Sequence, residues 1–307
     1  MITSIFNKSK PINFAIAFFI TLLAFMVLHI KYIEVSVTAS FFFKQILLFF
    51  VCYVSILALS FIVGKNSLTQ KSNYEIVLYS LFLLALPQTV SNPDIIYANF
   101  FVLLGYRRII SLHSQINVNK KLFDAAFWIG IAALFYFWAL LFFVIIIITL
   151  FLYTDNNIKH VLIPFTGLLT VFLISMCVSI ICYDSFFEIF SSLPEVSYNF
   201  SNYNSMQHIV IITMLFSFGM WASIFYIKNI KQKKKTLRPL YYVVLFAVLI
   251  GFLIVAFAPN KNGSEFLFLF APLAIIIANY IEIIQEKWFK ELFLSIIIIV
   301  PFVILLL

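Results

Sequence analysis

Residues 122–153 read Leu122-FDAAFWIGIAALFYFWALLFFVIIIITLFL-Tyr153, thirty-two positions with one charged side chain, Asp124. A single helix of that length would run about 48 Å at 1.5 Å per residue, against a bilayer hydrocarbon core about 30 Å thick. Two short helices would turn near Tyr136 to Trp138, where aromatic side chains suit the membrane interface. The choice between one helix and two sets the sidedness of every residue that follows.

Composition places the rest of the chain in the same medium. Of 307 residues, 64% are hydrophobic, 10% are charged and 39 are phenylalanine, a balance that no soluble domain of this size keeps in solution. The composition implies an all-α, polytopic transmembrane bundle, with residues 1–307 as one integral membrane domain. Apolar runs of membrane-spanning length fall near 12–30, 41–63, 75–90, 95–112, 161–183, 208–227, 240–258, 265–283 and 291–307. The first follows Lys8 and Lys10, is longer than a signal-peptide core and reads as an uncleaved span. Cys52, Cys177 and Cys182 all lie inside apolar runs, which makes them packing residues and not a disulfide framework.

Basic residues decide the question posed by 122–153. With two helices there, the chain has about eleven spans, and with the N-terminus cytoplasmic seventeen Lys and Arg fall inside against three outside, namely Lys31, Lys44 and Lys261. With one helix the split becomes nine to eleven. Because Lys and Arg concentrate in cytoplasmic loops, the sequence predicts two spans, with tilting or local bilayer thinning to accommodate them. The expected location is a bacterial inner membrane.

That topology exposes four segments on the external side: Lys31 to Ser40, Ser91 to Asp94, Asp184 to Gln207 and Pro259 to Glu265. The third mixes Phe, Tyr and Asn with three carboxylates and reads either as an amphipathic stretch on the membrane surface, a lid over an external pocket, or as a plain connecting loop. The internal loops are short and basic, most of all Lys228 to Arg238, which attracts anionic headgroups. Nucleic acid is not implied.

Several chemistries are excluded. There is no H-E-x-x-H, C-x-x-C or G-x-S-x-G motif, and seven glycines leave no phosphate-binding loop. His29 and His208 are placed externally, His113 and His160 internally, so the four histidines form no single metal centre; no metal and no cofactor is expected. Span centres are nearly free of ionisable groups, unlike those of ion-coupled transporters. Lys44, Asp124 and Glu282 lie near span ends, where side chains reach the interface.

The run from Phe123 to Tyr153, followed by Lys159, His160 and VLIPFTGLL, resembles the middle of bacterial lipid-linked-sugar glycosyltransferases of the GT-C superfamily, and SEFLFLFAPLAIIIANY at Ser264 to Tyr280 is similar to a later helix of the same enzymes. The whole chain resembles, more closely, a family of integral membrane proteins of this length defined as a domain of unknown function. The superfamily resemblance implies a GT-C-like fold and sugar transfer from a polyprenyl-phosphate donor on the external face, for cell-envelope glycan assembly. It implies an acidic residue in the first external loop, acting as general base or metal ligand, and Glu34 is the position that matches it. In that reading Glu34 or Asp94 is the general base, Lys44 and Lys261 face the donor phosphate, and Tyr198 and Tyr203 stack on sugar. Glu34, Lys44, Asp94 and Glu265 are then expected around one outward-opening, water-filled cavity. The alternative is a non-catalytic GT-C-like scaffold or accessory subunit, whose partners are membrane lipids and proteins of the envelope.

Overall fold

A computed structural model describes residues 2–31, 39–70, 72–153, 158–186 and 195–306. Among them the chain is helical and contains no strand. The helices are α1 (Ile2–Phe6), α2 (Pro11–Lys31), α3 (Ala39–Lys65), α4 (Tyr74–Ala85), α5 (Pro93–Ile110), α6 (Val118–Phe135), α7 (Phe143–Leu152), α8 (Ile158–Tyr183), α9 (Met206–Ile230), α10 (Arg238–Phe257), α11 (Leu267–Ile283) and α12 (Lys287–Leu306). Among the described residues eight helical segments are long and apolar enough to cross a membrane, and Tyr74–Ala85 and Phe137–Leu152 are shorter apolar helices. The protein is therefore an all-helical, multi-pass membrane protein.

The 122–153 stretch is broken. Tyr136 leaves α6 in an extended conformation, φ −145° and ψ 107°. Phe137–Phe142 then form a 3-10 turn, and α7 returns into contact with α6. No glycine or proline causes the break. Two of its amides stay paired, as an apolar medium favours: the Tyr136 amide donates to Ala132 and the Ala139 amide to Tyr136, each at 3.0 Å. The run expected as one helix over 75–90 also divides, since Pro87 lacks the amide that would continue α4 and instead opens a 3-10 turn, Pro87–Val90.

The chain forms two compact units, one of Met1–Ile96, Asn199–Lys233 and Lys261–Leu307, the other of Tyr97–Tyr198 and Lys234–Asn260. In the first, α4 and α11 are the core. Every residue of α4 and the first fifteen of α11 are buried, because α4 is covered by α2, α3, α11 and α12, and α11 also by α9. At about 18 Å, α4 is too short to cross the hydrocarbon alone, so neighbouring helices shield its ends. At one end of this unit Glu282 accepts the Gln70 amide at 2.8 and 2.9 Å and the Ser72 hydroxyl. There too Glu291 accepts the Thr3 amide at 3.3 Å, and the Tyr74 hydroxyl donates to the Thr3 carbonyl at 2.9 Å. These bonds tie α1 and the chain between α3 and α4 to the α11–α12 end. Glu282 thus holds a loop, a role its position near a span end does not announce.

In the second unit α6 and α8 approach most closely. A Cβ at Gly167 would lie 2.8 Å from the Phe123 carbonyl oxygen and 2.9 Å from Ala126 Cβ, and one at Gly130 would lie 3.1 Å from Val171. Small residues spaced four apart, Ala126 and Gly130, are what allow membrane helices to pack at this distance. Trp138 stacks on Phe257 of α10 at 5.6 Å. Arg108 at the end of α5 pairs with Asp124 of α6 at 2.9 Å, so Asp124 is partnered across helices.

Candidate functional site

The turn between α10 and α11 brings polar groups together at the other end of the first unit. Asn262 Oδ1 accepts the Ser264 amide at 3.1 Å and its hydroxyl at 2.6 Å, closing a tight Asx turn. Gly263 sits at φ +94°, a conformation that side-chain-bearing residues rarely adopt. Its amide donates to Glu265 Oε1 at 3.3 Å. The turn thereby folds Glu265 inward, where it is fully buried.

The missing side chain of Gly263 leaves room for two neighbours from distant parts of the chain. The position of its Cβ would be 3.4 Å from Gln88 Cβ, in the 3-10 turn after α4, and 3.4 Å from His208 Nε2, in the first turn of α9. Ser205 caps α9 by accepting the His208 amide at 3.2 Å. Its hydroxyl also lies 2.6 Å from His208 Nδ1, which leaves Nε2 as the nitrogen that faces the turn. A ladder of rings continues from His208 to Tyr203 (6.0 Å) and on to Phe200 (6.1 Å) and Phe266 (5.7 Å). The Lys261 ammonium lies over the Phe200 ring, 4.4 Å from its centroid, in cation–π geometry. Lys261 is 1% exposed, and burial lowers its pKa from the ordinary lysine value.

Four polar atoms in this cluster are buried without a hydrogen-bond partner: Gln88 Oε1, Tyr203 Oη, His208 Nε2 and Glu265 Oε2. A cavity of about 10 Å³ is lined by Lys31, Gln88, Gln207, His208 and Leu305 among others. That is room for about one water molecule, in reach of two of the four residues, Gln88 and His208. Beside it Lys31 donates to the Leu305 carbonyl, placing a cation at the C-terminal end of α12, where the helix dipole favours one.

The candidate catalytic and substrate-binding residues occupy several places. Lys261, Glu265 and Tyr203 come together and are buried. Asp94 is exposed in the first turn of α5, its amide bonded to Asn92 Oδ1 at 3.0 Å. Lys44 is exposed near the start of α3. Tyr198 is 70% exposed and belongs to the other unit, where its ring edge meets Phe257 at 6.4 Å. Glu34 lies outside the described residues, as do 187–194 of the expected lid or loop; residues 195–200 are irregular and Ser201–Tyr203 form a 3-10 turn. Among the described residues no group of three or more His, Cys, Asp or Glu side chains is placed to hold a metal ion.

Sequence reasoning passed over Gln88 altogether and weighed His208 only as a metal ligand. The signal was present in Pro87, which stops α4 and presents the next residue at a helix end, and in the Asn-Gly-Ser turn, whose glycine leaves space for whatever packs against it.

The chain belongs to a family of unknown function, DUF6427, whose profile matches residues 1–306. No curated protein and no solved structure matches it.

Proposed function

We propose that the protein is a non-catalytic membrane scaffold, an accessory subunit of an envelope complex seated in a bacterial inner membrane with its N-terminus cytoplasmic. The observation that carries this reading is the inward placement of Lys261 and Glu265, with room nearby for about one water. A site that seats a sugar and a polyprenyl phosphate needs a cleft of several hundred Å³ and a general base within about 3 Å of the hydroxyl it deprotonates; the cavity of about 410 Å³ between α2 and α3 is lined by apolar side chains with His29 and Gln45, and no described carboxylate lines it. Glu265 and Tyr203, both buried, and the half-buried Gln88 and His208 pack three chain segments against the turn at Gly263. The exposed Asp94 and Lys44 serve as interfacial charges at helix ends.

The experiment is complementation of a deletion strain by a Glu34→Gln, Asp94→Asn double variant. Full rescue at normal membrane levels is expected. Loss of rescue at normal levels would overturn the scaffold reading in favour of glycosyl transfer, with Glu34 or Asp94 as base.

Sidedness has its own test. Gln88 and His208 meet at Gly263, which supports an even number of crossings between them, as two spans in 122–153 provide. Reporter fusions at Thr236 and at Asn199 are expected to report the cytoplasmic and external sides respectively; signals on one side, or reversed, would remove the eleven-span topology.

A further inference from the structure

The first unit carries a groove that the scaffold reading does not use and that stands independently of it. Helices α9 and α12 both pack on α11 and touch each other, and between them a cavity of about 280 Å³ is lined by Ser217, Phe218, Trp221, Phe289, Phe293 and Ile296 with Leu292. Its wall is a fixed set of aromatic rings. Phe218 meets Phe293 edge-on at 4.7 Å, and Phe293 meets Tyr280 at 5.1 Å. The Trp221 indole donates to the Tyr280 hydroxyl at 2.6 Å, so its polar edge is satisfied and its apolar face is left to the groove.

Both helices are long and apolar enough to span a membrane, and Trp221, Leu292 and Ile296 are 48%, 47% and 37% exposed. The medium that meets this groove is therefore hydrocarbon. From Phe289 to Ile296 it follows α12 for about 10 Å, roughly the upper stretch of one acyl chain. The groove begins two residues after Lys287, at the start of α12. Lys228, exposed at the end of α9, lies seven residues beyond Trp221, with its ammonium 5.4 Å from the Phe225 ring centroid. Glu286 is exposed at this rim, whereas Glu282 and Glu291 at the same end are engaged with Gln70, Ser72 and Thr3; Lys290 on the next turn is drawn to the Tyr74 ring, 5.5 Å from its centroid.

An apolar slot at membrane depth with two exposed ammonium groups at its mouth matches one kind of occupant. We propose that the α9–α12 groove binds an acyl chain of an anionic phospholipid, whose phosphate lies between Lys228 and Lys287. The aromatic wall supplies contact area and the lysines supply headgroup selectivity, since juxtamembrane basic residues attract anionic lipid and a zwitterionic headgroup gains little from them.

Full-length protein in phosphatidylcholine vesicles tests this through Trp221 fluorescence, isolated as the difference between the wild type and Trp221→Phe. Phosphatidylglycerol with brominated acyl chains is expected to quench that component at about a tenfold lower mole fraction than brominated phosphatidylcholine. Lys228→Gln with Lys287→Gln should abolish the preference while the helical circular dichroism stays unchanged. If that variant does not fold, raising the ionic strength on the wild type serves instead, because screening should shrink the same preference. Equal quenching by the two lipids, or a preference that survives both lysine replacement and salt, would overturn the proposal. Absence of quenching by either lipid would overturn it too, since the groove would then be covered by protein.

Discussion

Leucine in place of Gly167 is expected to be the most damaging single change in the second unit. The first added carbon would lie 2.8 Å from the Phe123 carbonyl oxygen and 2.9 Å from Ala126 Cβ, and a backbone oxygen on a packed helix cannot rotate away. Alanine is expected to cost about 1–3 kcal/mol, the usual range for overpacking, and leucine more than 3 kcal/mol by forcing α6 and α8 apart. Thermal unfolding in detergent would measure both. Gly64 is the internal control, because a Cβ there meets nothing within 4 Å, and Gly64→Ala should raise stability by up to about 1 kcal/mol through helix propensity. Equal effects at Gly64 and Gly167 would show that the α6–α8 contact does not limit stability.

Glu282→Ala is expected to have the largest effect in the first unit. The carboxylate accepts the Gln70 amide and the Ser72 hydroxyl, and hydrogen bonds to a charged partner contribute about 1.5–3 kcal/mol each. With Gln70 itself exposed to water, the combined loss should be about 2–3 kcal/mol. It should appear as faster hydrogen exchange of the Gln70 amide and a lower melting temperature. Glu282→Gln, which keeps one acceptor oxygen, should fall between. Unchanged exchange in the alanine variant would mean that the loop is held from elsewhere.

The membrane class and the break in 122–153 were legible in the chain because hydrophobic length and basic-residue counts report on the bilayer directly. The position of the turn was readable too, within a residue of Tyr136. What the pattern could not disclose is which apolar faces meet lipid and which meet protein, since both are equally hydrophobic. Thus α4 and α11 read like any other span, although they are the buried core. The site was half legible. Glu265 and Lys261 were singled out at the turn before α11 and Tyr203 as an external aromatic; all three are buried, and the turn through Gly263 folds Glu265 inward, a direction that no count of charges predicts. Gln88 and His208 required knowledge of which helix ends converge, a long-range property.

The pairing of α4 with α11 also constrains how the molecule is made. α4 ends at Ala85 and α11 begins at Leu267, so at about 5–20 residues per second α4 waits roughly 10–35 s on the ribosome's clock for its main partner. Throughout that interval a helix that ends wholly buried, with Glu75 in its first turn, must be kept in or beside the bilayer with part of its covering unsynthesised. The nascent chain therefore depends on a temporary neighbour, whether the insertion machinery or the already emerged α2 and α3, and a product released before α11 would present that carboxylate to lipid as a mark of incompleteness.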